Sequence, residues 1–253
     1  MHQPDAPALP VASPITLYCL PCAGASSAMY QPWRHNLADG IELVPLELPG
    51  RGARFNEPFA ETLVDLAAAL ADQIRRRDRG RFMLLGHSLG ALVAFEMARH
   101  LARWGQPSPQ ALIVSARCAP CQPIPQRQLH LAPTSQLHEF LRELGGTPES
   151  VLHSRELMEL LLPIVRADFR LYETYRFLPG TPLTCPIHAL AGDQDTSTTL
   201  SGMRAWQQHT LSSFGLQFFP GGHFYLNNQQ APVVDHINGL MGELLPTDEG
   251  SRS

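Results

Sequence analysis

Six short apolar runs recur along the chain: residues 15–20 (ITLYCL), 41–48 (IELVPLEL), 81–86 (RFMLLG), 111–116 (ALIVSA), 187–192 (IHALAG) and 216–220 (LQFFP). Most are separated by stretches of helical periodicity at 61–77, 89–104 and 199–211. Continuous apolar runs this short read as strands buried on both faces. Strands alternating with helices build a parallel sheet with helices on both faces, an α/β architecture. Pro45 lies within the second run and lacks a ladder donor, which suits an edge strand. With 253 residues, 44% of them hydrophobic, the chain can bury one sizeable core, and a single domain over 15–245 is expected. One interval breaks the alternation. Residues 117–186 separate two strand runs and carry helical patterns at 134–144 and 153–176. That is far longer than an ordinary connection and reads as a helical insertion. It leaves the C-terminal end of a strand, where functional groups gather in open α/β sheets, so a lid is expected, with plain helical elaboration as the alternative.

The ends and the charge exclude other classes. Residues 1–14 (MHQPDAPALPVASP) lack the cationic and apolar regions of a secretory signal and read as a disordered lead-in. Residues 246–253 read as a frayed tail. No stretch is apolar for the ~18 residues of a membrane span, so no membrane association and a cytoplasmic location are expected. A net charge of −4 gives no footprint for nucleic acid.

The third run ends in FMLLGHSLGALV (82–93). Here a strand must become a helix within a few residues, with Leu89, Val93, Met97 and Leu101 spaced along one helical face. Gly86 and Gly90 remove Cβ atoms where strand and helix approach, and Ser88 sits between them. This is the G-x-S-x-G nucleophile elbow, with the helix N-terminus favouring developing negative charge. The alternative is that Ser88 only caps the helix.

A serine hydroxyl needs a base. Of eleven histidines, His223 stands out in FFPGGHFYL, where two glycines turn the chain after the last strand. His87 is expected to point away and pack, and His130, His138 and His153 to face solvent. The base in turn needs a carboxylate to fix its tautomer. ALAGDQD (189–195) offers Asp193 and Asp195. A G-x-x-D spacing from Gly192 favours Asp195, with Asp193 as the alternative. The order Ser88, Asp195, His223 is that of the α/β-hydrolase fold. Backbone N–H groups of Leu89, after the nucleophile, and Ala23, in the loop after the first strand, are the expected oxyanion donors.

Five cysteines include two C-x-x-C pairs, Cys19–Cys22 and Cys118–Cys121. They lie far apart without knuckle-forming glycines, and Cys19 falls inside an apolar run. Independent thiols are expected, with neither zinc nor a disulfide.

Together LPCAGAS (20–26), ELPGRGAR (47–54), LLGHSLGALVAFEMAR (84–99), VRADFRLYETY (165–175), ALAGDQD and FPGGHFYL (219–226) resemble the stand-alone type II thioesterases of polyketide and nonribosomal peptide synthesis, over nearly all of 15–245. The resemblance implies an α/β-hydrolase that clears acyl groups from the phosphopantetheine arm of acyl or peptidyl carrier domains. It implies no metal or other cofactor, since the arm arrives with the substrate. A medium-chain fatty-acyl carrier thioesterase, an acyl transferase and a non-catalytic binding module are the rival readings. Two departures stand out: Cys22 and Ala25 replace an aromatic or histidine and a glycine, and TST follows Asp195. Phe169 and Tyr172, three residues apart, are expected to line an acyl chamber or merely to pack. Arg51, Arg54 and Arg117 follow strand C-termini on the rim of Ser88 and are the expected docking residues for an acidic carrier. The basic cluster at 75–81 lies at the opposite strand end and reads as a solvated helix terminus.

Overall fold

Side chains of the first strand, β1 (Ile15–Leu20), alternate between two cores. Ile15, Leu17 and Cys19 face one, while Tyr18 and Leu20 face the other. The same division runs through β3 (Phe82–His87), β4 (Leu112–Ser115) and β5 (Ile187–Gly192), so the sheet is covered on both sides. With β2 (Ile41–Pro45) and β6 (Phe214–Phe219) these strands form one sheet in the order β2-β1-β3-β4-β5-β6, every pair parallel. β2 is an edge strand and ends at Pro45, as the missing donor requires. The computed structural model describes residues 14–77, 80–125 and 127–242. All but Pro14 of the expected lead-in, and the whole of the expected tail, lie outside them.

Helices α1 (Leu63–Arg77) and α2 (Leu89–Arg103) bury Leu66, Leu70, Ile74, Leu92 and Phe95 against one face. Near the C-terminus, α7 (Tyr225–Asn228) and α8 (Gln230–Gly242) bury Tyr225, Val233, Val234 and Ile237 against the other. The helical pattern at 199–211 divides into α6 (Leu200–Arg204) and a 3-10 turn, Ala205–His209. Between β4 and β5 lie α3 (Thr134–Leu144), α4 (Glu149–Leu152) and α5 (Arg155–Thr174). These three have a small core of their own, made by Leu137, Leu141, Leu152, Met158, Val165 and Phe169. The C-terminal part of α5 joins the main core through Leu171, followed by Tyr175. The insertion is therefore rooted at one end and self-packed at the other. Among the described residues no helix is long and apolar enough to cross a membrane.

Register aligns the C-terminal strand ends. Leu20 pairs with Gly86, His87 with Ser115, Ser115 with Leu190, and Gly192 with Phe219. The chain leaves β1 toward β2 on one side and later returns to β3 on the other, and such a reversal opens a crevice above the strand ends.

Candidate active site

Ser88 occupies that crevice in a backbone conformation L-residues rarely adopt, with φ 55° and ψ −113°. Its N–H donates to Ser115 O at 2.8 Å. Its side chain makes no capping bond to α2, which removes the cap alternative. The flanking glycines are sterically required. A Cβ on Gly86 would stand 2.0 Å from Gly90 O, and one on Gly90 would stand 2.3 Å from Leu20 O. The elbow is thus wedged against β1 and α2, so strain of roughly 1–3 kcal/mol is held in place.

His223 brings the remaining groups together. Its Nε2 lies 3.0 Å from Ser88 Oγ, and its Nδ1 lies 2.9 Å from Asp195 Oδ2. A carboxylate only accepts, so Nδ1 carries the proton and Nε2 is left to accept from the Ser88 hydroxyl. Ser197 completes the corner. Its N–H and hydroxyl both donate to Asp195 Oδ1, at 2.8 and 2.6 Å, and its oxygen lies 2.9 Å from His223 Nδ1. Burial alone would raise the Asp195 carboxyl, but hydrogen bonding and charge from His223, with the bonds from Ser197, hold it below its ordinary value. Asp193 takes another role, accepting from Gly221 N–H at 3.0 Å and so fixing the loop that carries His223.

Beneath His223 lies His87, fully buried, with ring centroids 5.3 Å apart. It does not merely point away. His87 Nδ1 is 2.9 Å from Ser115 Oγ, which is 2.7 Å from Tyr225 OH. Burial first, and then the proximity of His223, hold His87 well below its ordinary pKa. A neutral ring there adds no like charge beneath an imidazolium forming on His223.

Leu89 N–H opens α2 and has no intrahelical acceptor, and Ala23 N–H donates to no acceptor among the described residues. The next residue shows how the Ala23 loop is held. Gly24 N–H donates to Asp168 Oδ2 at 2.7 Å. Asp168, completely buried on α5, also accepts two bonds of 2.6 Å from Arg51, whose Nη1 reaches Ala25 O at 3.1 Å. This clamp joins the insertion, the loop after β2 and the loop after β1, and explains why the PGRG and RADF segments occur together.

A cavity of about 330 Å³ opens beside Ser88 and is lined by Ala23, Leu89, Arg117, Phe140, Phe169, Tyr172, Glu173, Ser197 and His223, among others. Phe169 also packs edge-on against Phe140. A separate cavity of about 400 Å³, bounded by Ile74, Arg75, Phe82 and Leu101, lies at the opposite end of β3 and contains none of these groups.

Three expectations need correction. Arg51 is 4% exposed and committed to Asp168, so it is unavailable on the rim. Arg117 is also buried and lies against Tyr172, its guanidinium 4.5 Å above the ring, so it faces the cavity and not the rim. Arg54 remains partly exposed, paired with Glu57 and bonded to Glu47 O. His130 and His138 are only partly exposed. His130 Nδ1 lies 2.5 Å from buried Glu173, and His138 Nε2 lies 2.7 Å from Leu152 O, while His153 is exposed. All five cysteines are free; burial pushes the Cys22 thiol up to about 12 and that of Cys185 to about 11. Among the described residues no cluster of three or more His, Cys, Asp or Glu could hold a metal.

With this geometry in hand, residues 15–241 match the family described as "Thioesterase domain". The gramicidin S biosynthesis protein GrsT of Aneurinibacillus migulanus is 35% identical over 226 residues, 89% of this chain and 88% of its own. Among solved structures, ClbQ from the colibactin NRPS/PKS pathway superposes with a TM-score of 0.87 at 37% identity, covering 92% of this chain and 98% of its own. The type II thioesterase BorB from the borrelidin biosynthetic cluster gives 0.83 at 41% identity, covering 92% and 94%.

Proposed function

The chain belongs to the thioesterase domain family, serine hydrolases acting on thioesters, and from that premise we propose that it is a type II thioesterase that hydrolyses acyl groups from the phosphopantetheine arm of carrier domains. One observation carries the reading: His223 bridges Ser88 and Asp195 beside a cavity that Ala23 and Leu89 also line. In that arrangement Ser88 Oγ attacks the thioester carbonyl while His223 Nε2 takes its proton. The Leu89 and Ala23 amides receive the oxyanion, and the helix N-terminus behind Leu89 adds favourable potential. The C–S bond breaks and the pantetheine thiol takes the proton from His223. Water, deprotonated by the same nitrogen, then hydrolyses the Ser88 ester and frees the acid. Asp195 holds the tautomer and stabilises the imidazolium in both halves. Helices α3 to α5 roof the acyl chamber as a lid, with Phe169 and Tyr172 in its wall, and Arg54 is the one expected docking arginine still partly exposed. No step calls for a metal or redox cofactor.

The test is a panel of short acyl, aminoacyl and medium-chain groups loaded on one carrier domain. Free acid and free carrier thiol should appear with wild-type protein and not with Ser88→Ala. Acyl groups moving to a second carrier instead would identify a transferase. Failure of a fluorophosphonate probe to label Ser88 would argue for a binding module.

A further inference from the structure

Among the described residues three arginines are buried, and two of them are paired with carboxylates. Arg51 is matched by Asp168 and Arg99 by Glu96. Arg117 is 7% exposed and has no carboxylate partner among the described residues. Its Nη1 donates to Tyr172 OH, and its Nε is buried without an acceptor. Nη2, on the same edge of the guanidinium as Nε, donates to no protein acceptor among the described residues either. An ionised group taken out of water without a counter-charge is costly, and arginine stays ionised. Stacking on Tyr172 recovers only part of that cost.

The position of this cation matters. Arg117 follows Ser115, the partner of His87, so it leaves its strand beside Ser88 and lines the same cavity. The acids nearby do not neutralise it. Glu173 accepts from His130 and from the N–H groups of Leu129 and His130, while Glu143 is exposed and makes no ion pair. Arg127, the other cation of the cavity, is exposed and sits over Phe140.

Building on the thioesterase reading, we propose that Arg117 receives the free carboxylate of the acyl group, so that half-thioesters of dicarboxylic acids are preferred substrates. The unpaired edge of a guanidinium matches a carboxylate in shape and charge. Ser88 attacks the thioester carbonyl, the C–S bond breaks with the proton passing from His223 to the thiol, and water releases the diacid. The distal carboxylate stays on Arg117 and takes no part in bond changes.

The experiment compares malonyl and succinyl with propionyl and butyryl, each on a carrier domain and as a soluble N-acetylcysteamine thioester. It reads the ratio of kcat/KM between each carboxylated acyl group and its neutral counterpart. A charge-assisted bond predicts that at least one ratio falls about tenfold or more in Arg117→Met, on carrier and soluble substrates alike. Arg117→Gln, which keeps donors but no charge, reads the same ratio should the methionine variant not fold. Ratios within threefold of wild type overturn the proposal. So does a loss confined to carrier substrates whatever the acyl group, because Arg117 would then be reading the arm's phosphate. If wild-type protein hydrolyses neither neutral nor carboxylated thioesters, the parent reading fails, and this one with it.

Discussion

Replacing Asp168 with alanine separates what the clamp contributes to stability from what it contributes to chemistry. The change removes both carboxylate acceptors of Arg51 and the acceptor of Gly24 N–H. Arg51 is left 4% exposed with only Ala25 O as a partner. Breaking a buried ion pair on one side costs about 3–5 kcal/mol, and the stranded amide adds about 1–3 kcal/mol. These overlap, so a total near 5 kcal/mol is expected. At roughly 2–4 °C per kcal/mol for a domain this size, Tm should fall by about 10–20 °C. Urea titration followed by the fluorescence of buried Trp33 and Trp206 measures it. A loss under about 1 kcal/mol, below even the smallest of these costs, would refute the reasoning. The double variant Arg51→Met with Asp168→Leu then divides the two roles. Replacing both charges by apolar groups restores most of the stability, but the Ala23 loop stays without its anchor. Its kcat should remain about 10- to 100-fold low, approaching the loss of an oxyanion donor, with KM little changed. Full recovery of kcat would mean that the clamp only holds the fold together.

Asp195→Asn should lower kcat by about 10⁴, as expected when the histidine loses its tautomer, while Asp193→Asn, which touches only the His223 loop, should cost far less; steady-state rates compare them, and the reverse order would contradict the assignment. Stability should fall in acid. Burial, then Arg99, push His209 down to about 4, and His87 is likewise neutral in the fold. The unfolded chain takes up these protons below about pH 6.5, so the His209 contribution is full above that value and is lost as pH drops toward 4. For His209 this amounts to about 3 kcal/mol, visible in urea midpoints across that range and flattened by His209→Gln. Phe169→Ala or Tyr172→Ala should shift chain-length preference upward on a carrier-bound acyl series; lower stability with unchanged preference would make them plain core.

The sequence made the sheet and the elbow legible because both depend on local rules. Apolar runs mark buried strands, and two glycines around Ser88 mark a backbone crossing too close for a Cβ. Glycine context at strand ends pointed to His223 and Asp195, which the fold brings within hydrogen-bond reach of one another, with His223 also in reach of Ser88. What escaped was long-range pairing. Arg51 and Asp168 lie 117 positions apart, and nothing in PGRG or RADF says that one neutralises the other. The same holds for Arg117, which a rule about strand ends puts on the rim but which folds back over Tyr172. Ser197 was visible only as an unusual TST after Asp195, and its bonds to both Asp195 and His223 need the turn to be seen. His130 read as solvent-facing because its partner, Glu173, lies 43 positions away on α5.

The central claim is that acyl groups pass through Ser88. The most direct measurement is peptide mapping by mass spectrometry after acid quench within the first turnover of an acyl-loaded carrier. One acyl adduct is expected, on the peptide containing Ser88, absent in Ser88→Ala and strongly reduced in His223→Ala, which lacks the base that forms it. An adduct on another residue, or undiminished hydrolysis by Ser88→Ala, would contradict it.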